Sequence, residues 1–184
     1  MSIKFTILGC GSSMGVPRAD GFWGNCNPLE KKNNRTRCSA LISNKNCSIL
    51  LDTSPDLRTQ LLREKVKNVD KVFYSHGHAD QTHGINDLRI FYLKQKKKID
   101  VYADKLTSTY LKKNFSYCFK EKKGYPATLN LKLIKKKIIF KDKNLKINIK
   151  CIPVKHGFID SLGFIINNKI AYISDANKIY KKDL

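Results

Sequence analysis

The spacing of apolar positions along the chain predicts a protein built mostly from short β-strands. Runs rich in β-branched and aromatic residues alternate with clusters of Gly, Asn, Asp and Lys, which is the pattern of buried or half-buried strands separated by turns. We predict strands over residues 3–8, 38–43, 48–52, 69–74, 99–102, 129–134, 138–140, 145–154, 162–166 and 170–174.

Helical periodicity is found between some of these strands. Pro55 suits the first position of a helix that Ser54 caps and that continues through Leu62, because proline lacks the amide hydrogen that is left unpaired there. Residues 82–93 repeat apolar side chains at helical spacing, and a Lys- and Tyr-rich segment that we expect to be helical follows the strand at 99–102. Strands and helices together predict a mixed α/β fold.

The composition is that of one globular domain, which we assign to residues 1–184. Hydrophobic residues make up 41% and aromatic residues 10% of the chain, enough for a buried core. No apolar run is long enough to cross a bilayer, and the N-terminus lacks the apolar segment of a signal peptide. Six cysteines without regular spacing fit a reducing compartment. We therefore expect a cytoplasmic protein without a membrane partner.

The net charge of +21 narrows the choice of partners less than its size suggests. Thirty of the 36 basic residues are lysines spread along the chain, which is typical of a solvated surface, so nucleic-acid binding is possible but not favoured. A positive surface attracts an anionic substrate by electrostatic steering. Arg18, Arg35 and Arg37, half of the arginines, fall in an irregular loop, where they suit a phosphate or are ordinary surface charges.

The segment with the most candidate metal ligands follows the strand predicted at 69–74. Three of the four histidines lie within the next ten residues, and the loop reads His76-Gly77-His78-Ala79-Asp80. A strand that ends in His-x-His-x-Asp can direct two imidazoles and a carboxylate at one point. These are the usual nitrogen and oxygen ligands of zinc and its first-row neighbours. The spacing therefore predicts a metal site.

Two later residues are candidates to complete that site. His156 and Asp175 each stand at or just past the end of a predicted strand, where a turn or cap residue is the simpler interpretation of either one alone. His83 and Arg89 lie near the start of the helix predicted at 82–93, where a bound anion would meet the positive end of the helix.

In order along the chain, these features resemble the metallo-β-lactamase fold superfamily. The resemblance covers most of residues 3–177. Within the superfamily the chain is most similar to the PhnP-type branch, which is associated with phosphodiesterases of cyclic phosphates. The motifs that carry it are Gly9-Cys10-Gly11-Ser12-Ser13, Arg35-Thr36-Arg37-Cys38-Ser39, Asp52-Thr53-Ser54-Pro55-Asp56-Leu57-Arg58, His76-x-His78-x-Asp80, Gly84-Ile85-Asn86-Asp87-Leu88-Arg89, His156 and Asp175. The resemblance implies a four-layer αββα sandwich, of which we expect the last part to be missing.

The resemblance also implies a metal-dependent hydrolysis of a small cyclic or nucleotide-like phosphodiester, with one or two ions of Zn2+ or Mn2+. His76, His78 and His156 would form the first metal site, Asp175 would bridge two metals, and Asp80 would bind the second and orient the attacking water. Asp52 would fix the tautomer of a ligating histidine through a hydrogen bond. We assign protonation of the leaving group to His83. Binding of the phosphate is assigned to Arg18, Arg35, Arg37 and Arg89.

The chain departs from the family pattern at three places. Gln81 stands where the family motif continues with histidine, and Cys26 stands alone where the branch often has a cysteine cluster, so we expect no structural zinc there. No histidine follows His156, although the family's last ligand lies beyond the bridging aspartate. We therefore expect a C-terminally truncated chain whose second metal keeps only the two carboxylates as good ligands.

Three alternatives to the phosphodiesterase stay open at this stage. A tRNA 3′-processing-type endoribonuclease shares the histidine motif and suits the positive charge, although we find no RNA-gripping arm. A glyoxalase-type thioesterase would use the same metal for an acyl-glutathione. A degenerate or truncated non-catalytic domain would bind one metal or none. A homodimer is also possible.

Overall fold

The computed structural model describes residues 3–134, 139–142 and 147–180. The strands are β1 (Lys4–Gly9), β2 (Ser39–Ser43), β3 (Ser48–Leu51), β4 (Lys71–Phe73), β5 (Ile99–Ala103), β6 (Leu129–Leu133), β7 (Ile139–Asp142), β8 (Ile147–His156), β9 (Ile159–Ile166), β10 (Ile170–Tyr172) and β11 (Lys178–Ile179). The helices are α1 (Leu57–Arg63), α2 (Ala79–Thr82), α3 (Arg89–Gln95), α4 (Lys105–Asn114) and α5 (Ser116–Phe119), with 3₁₀ turns at Lys31–Asn33 and Ile85–Leu88.

The strands form two sheets. The first has the order β1-β2-β3-β4-β5-β6, antiparallel between β1, β2 and β3 and parallel from β3 to β6. The second has the order β10-β9-β8-β11, with β7 also paired to β8, and its pairs are antiparallel. Because β3 and β4 run parallel side by side, the loops that follow them leave from the same edge of the first sheet.

The first sheet is covered on both faces, which explains its nearly continuous apolar strands. Along β3, Leu50 points into a core shared with the helices, while Ile49 and Leu51 point into a core shared with the second sheet. In the second core the Phe73 ring contacts the Phe164 ring edge-on, with 5.7 Å between centroids. The described residues therefore form three layers in the order helices, sheet, sheet.

The expected mixed α/β sandwich is confirmed, and each of the ten predicted strands is present with ends shifted by a few residues. The structure adds the short strand β11, which sequence periodicity did not indicate. The strand starts predicted at residues 138 and 145 lie outside the described residues. Within the part of the chain that the structure describes, no helix is both long and apolar enough to cross a membrane.

Both detailed helix predictions need correction. Helix α1 begins at Leu57 instead of Pro55, and the Ser54 hydroxyl accepts the backbone amide of Asp56 at 3.1 Å, one residue before the helix. The helix predicted at 82–93 is interrupted around Gly84, whose amide donates to the Thr53 carbonyl at 2.9 Å. That tertiary hydrogen bond replaces a helical one.

Candidate metal centre

Asp52 organises the loop that carries the histidine motif. It follows β3 and has a positive φ of 59°, so the chain turns at this residue as it leaves the sheet. Its buried carboxylate accepts the Ser75 amide at 2.7 Å and the Ser75 hydroxyl at 2.9 Å. Tyr172 of the second sheet donates its hydroxyl to the same carboxylate at 3.0 Å. Asp52 therefore fixes Ser75, the second residue after β4, and ties it to β10.

Three histidines converge next to this loop. His78 Nδ1 lies 3.0 Å from His76 Nε2 and 3.4 Å from His156 Nε2, and one nitrogen of each residue lies within 4.8 Å of the others. His76 and His78 follow β4 of the first sheet, whereas His156 ends β8 of the second. His76 is buried, His156 is half-buried and His78 is exposed, so the cluster is open to solvent on one side.

The chemistry of the trio suits a divalent cation. Burial, followed by the nearby His78 and His156, lowers the pKa of His76 to about 3, so its imidazole is neutral at pH 7. Neutral imidazole nitrogens are the ligands that zinc and first-row metals prefer. The three residues present therefore fit one metal ion.

A serine hydroxyl lies between the Asp52 carboxylate and the His76 ring. The Ser75 hydroxyl lies 2.9 Å from the Asp52 carboxylate and 3.0 Å from His76 Nδ1. If Ser75 donates to Asp52, its oxygen accepts from Nδ1–H, which leaves the lone pair of Nε2 facing the other histidines. Burial raises the pKa of Asp52 to about 7, and the hydrogen bonds from Ser75 and Tyr172 oppose that rise. Among the described contacts, Asp52 reaches the histidine through Ser75 and not directly.

Some of these contacts come from residues that the sequence analysis did not single out. Ser75 precedes His76 directly, so its place in the motif was a usable signal. Ser161 lies 3.3 Å from His76 Nδ1, and Tyr172 contacts Asp52, but both belong to the second sheet. No local sequence pattern marks either of them, because their position depends on how the sheets pack.

Of the two predicted carboxylates, Asp175 lies beside the trio, and Asp80 is linked to Asp175 through Gln81. Asp175 Oδ2 is 4.0 Å from His76 Nε2, and Asp80 is buried at the start of α2. Gln81 stands between them: its Nε2 lies 3.0 Å from Oδ2 of Asp80 and 3.0 Å from Oδ2 of Asp175. The structure thus brings together His76, His78 and His156 with Asp175 next to His76, and Asp80 is linked to Asp175 through the amide nitrogen of Gln81.

Among the described contacts, His83 and the four arginines pair with residues outside the histidine trio. His83 is exposed, with its ring edge-on to Phe115 at 5.4 Å between centroids and Nδ1 3.1 Å from the Thr82 hydroxyl. Each arginine already has a partner, namely Asp20 for Arg18, the thiol of Cys10 for Arg35, Asp56 for Arg37 and the Tyr125 ring for Arg89. Their roles at the substrate stay predictions.

The family is decided by comparison with known proteins. Residues 48–183 match the family described as the beta-lactamase superfamily domain. The chain belongs to this superfamily. It is 28% identical to a solved diphosphatase from the PhnP family, with a TM-score of 0.77 over 90% of this chain and 62% of that one. The expected PhnP-like metallo-β-lactamase fold is therefore confirmed.

More distant solved structures share the fold. Zinc-bound PqqB from Methylobacterium extorquens is 17% identical with a TM-score of 0.74, over 98% of this chain and 68% of that one. The short form of human tRNase Z is 18% identical with a TM-score of 0.66, over 99% of this chain and 72% of that one.

The chain also matches part of a larger curated relative. An octanoyltransferase from Porphyromonas gingivalis is 30% identical over 183 residues, which are 99% of this chain and 36% of the relative. The chain thus spans about a third of that relative and 62% of the PhnP-family diphosphatase.

Proposed function

We propose that this protein is a metal-dependent hydrolase of a small anionic phosphodiester. The observation that carries the proposal is the convergence of His76, His78 and His156, which follow or end strands of two different sheets, with the Asp175 carboxylate 4.0 Å from His76. Members of the superfamily are mostly hydrolases, and the similarity to a PhnP-family diphosphatase favours phosphorus as the site of attack. The histidine donors and the zinc-bound relative of similar fold favour Zn2+, with Mn2+ as the second choice.

The residues around the trio divide the chemical tasks. When bound, a divalent cation supplies an activated water and positive charge for the developing phosphate oxyanions. Asp80 uses Oδ2 for Gln81, so Oδ1 is the atom that we assign to the proton of the attacking water. His83, exposed beside α2, would protonate the leaving oxygen. Arg18, Arg35, Arg37 and Arg89 would attract the phosphate, and for any of them to grip it directly the present partner must be exchanged.

The test is turnover of a panel of cyclic and linear phosphodiesters by zinc-loaded protein. His76→Ala and His78→Ala each remove a ligand nitrogen, so we expect turnover to fall by more than about 100-fold, because losing a group that only hydrogen-bonds a metal ligand already costs about 10–100-fold. Lys97→Ala, on the surface, is the control and should keep wild-type turnover. Unchanged turnover in either histidine variant would overturn the proposal.

The same panel separates the alternatives. Thioester hydrolysis without phosphodiester turnover would favour the glyoxalase-type thioesterase. Cleavage of tRNA precursors with a steep salt dependence would favour the endoribonuclease, because each phosphate contact adds to the salt slope. A folded protein that neither binds metal nor turns over any of these substrates would be the non-catalytic domain.

A further inference from the structure

The amide group of Gln81 is placed where two negative charges meet. The residue is fully buried, and its one NH2 group lies 3.0 Å from Oδ2 of Asp80 and 3.0 Å from Oδ2 of Asp175. An amide NH2 has two hydrogens, so it can give one to each acid. Hydrogen bonds to carboxylates are charge-assisted and stronger than bonds between neutral groups. The two acids are therefore held together by a neutral donor.

The orientation of the amide follows from electrostatics. With the group turned over, the carbonyl oxygen Oε1 would face two carboxylate oxygens and repel both. In the orientation present, Oε1 is buried and has no hydrogen-bond partner within the described residues. Leaving such an atom unpaired is unfavourable, and the two bonds to the acids offset that loss.

The same geometry does not suit a second metal ion. Among the described residues, only His76, His78 and His156 form a group of ligand atoms close enough for an ion. An ion between Asp80 and Asp175 would have to displace the amide nitrogen of Gln81, and the side chain could offer in return only a neutral carbonyl oxygen.

We propose that Gln81 takes the place of a second metal, so that the centre binds one ion and its two acids are held in position by an amide. The inference rests on the proposed function for the ion at the three histidines. Gln81 acts here as a positioning residue for Asp80 and Asp175.

Metal content is the first measurement. Wild-type protein saturated with Zn2+ and freed of excess should hold about one ion per chain by elemental analysis, and His76→Ala should lower that content toward zero. Gln81→His gives the two acids an imidazole partner, so its content should rise toward two. Gln95→His adds a histidine elsewhere and should stay near one. Two ions in the wild-type protein, or one in Gln81→His, would overturn the inference.

Melting without metal is the second measurement, and it separates this inference from the proposed function. In excess chelator, Gln81→Leu loses both donors and leaves the acids facing each other, so its Tm should fall by about 5 °C or more. Gln95→Leu is the control and should shift less. If wild-type protein binds no ion, the proposed metal chemistry and the count of one ion both fail, and melting then decides only whether Gln81 holds the two acids in position. An unchanged Tm in Gln81→Leu would refute it.

Discussion

At the scale of single residues, Arg37 and Asp56 tie the long irregular loop after β1 to the start of α1. Arg37 donates from Nε and Nη2 to the two oxygens of Asp56, at 2.9 and 2.6 Å, and its backbone amide also donates to Asp56 at 2.9 Å. Both side chains are mostly shielded from solvent. The pair therefore closes the loop onto the start of α1.

The Arg37–Asp56 pair predicts a pH-dependent loss of stability. The hydrogen bonds from Arg37 lower the pKa of Asp56 below its usual 3.8. A lowered pKa in the folded state stabilises the protein above the unfolded pKa, and that contribution is lost as the pH falls through the folded value. Asp56→Asn should thus lower the free energy of unfolding by about 1–3 kcal/mol at pH 7 and by much less at pH 3. Urea unfolding at both values measures this, and an equal loss at both would contradict it.

At the scale of elements, a glycine sets how closely α2 and the turn after it approach the loop that follows β3. The Thr53 amide donates to the Gln81 carbonyl at 2.7 Å, and the Gly84 amide donates back to the Thr53 carbonyl at 2.9 Å. A Cβ on Gly84 would lie 2.1 Å from the Ser54 carbonyl oxygen. The two segments are in backbone contact, so a side chain at 84 has no space.

Gly84→Ala should therefore push these segments apart. We expect a loss of about 2–3 kcal/mol in the free energy of unfolding, the usual cost of overpacking. Zinc binding should also weaken, because His78 directly precedes α2 and moves with it. The matched control is Gly124→Ala, where the added Cβ meets nothing within 4 Å and only the positive φ of 77° is unfavourable. Chemical denaturation and zinc titration of both variants test this. Equal zinc affinity in Gly84→Ala and wild type would contradict the coupling.

The strands and the site residues differ in how well the sequence alone predicts them. The buried strands were predictable because covering both faces of the first sheet leaves a continuous apolar run, and His76 and His78 because one loop holds both. His156 and Asp175 needed a family resemblance, since each alone looks like a turn residue. The helix break at Gly84 and the hydrogen bonds from Gln81 to the two acids depend on contacts between distant segments, which no local pattern encodes.

At the scale of the whole molecule, the candidate centre joins the two sheets. His76 and His78 follow β4 of the first sheet, while His156 ends β8 of the second. The strand β11 pairs with the end of β8, and Asn177 donates its amide to the Lys155 carbonyl at 2.7 Å, which brings the Asp175 loop back beside His156. An ion bound by the trio would cross-link the sheets.

Zinc should accordingly stabilise the whole fold. Free zinc at 100 times its Kd adds about 2.7 kcal/mol to the free energy of unfolding. For a chain of this size that corresponds to a rise of roughly 5–11 °C in Tm relative to protein in chelator. His156→Ala should lose most of this rise, because the link to the second sheet is removed. A melting curve of the wild-type protein that is the same with zinc and with chelator would contradict the cross-link.

The placement of the three histidines on two sheets has a consequence for folding during synthesis. On the ribosome, His78 emerges 78 residues before His156. During that interval the nascent chain offers a pair of imidazoles instead of a trio, and a pair retains an ion far less well. Capture of an ion by the trio would therefore be a late step that follows docking of the second sheet. The finished pocket would then select the ion, and not the partly synthesised chain.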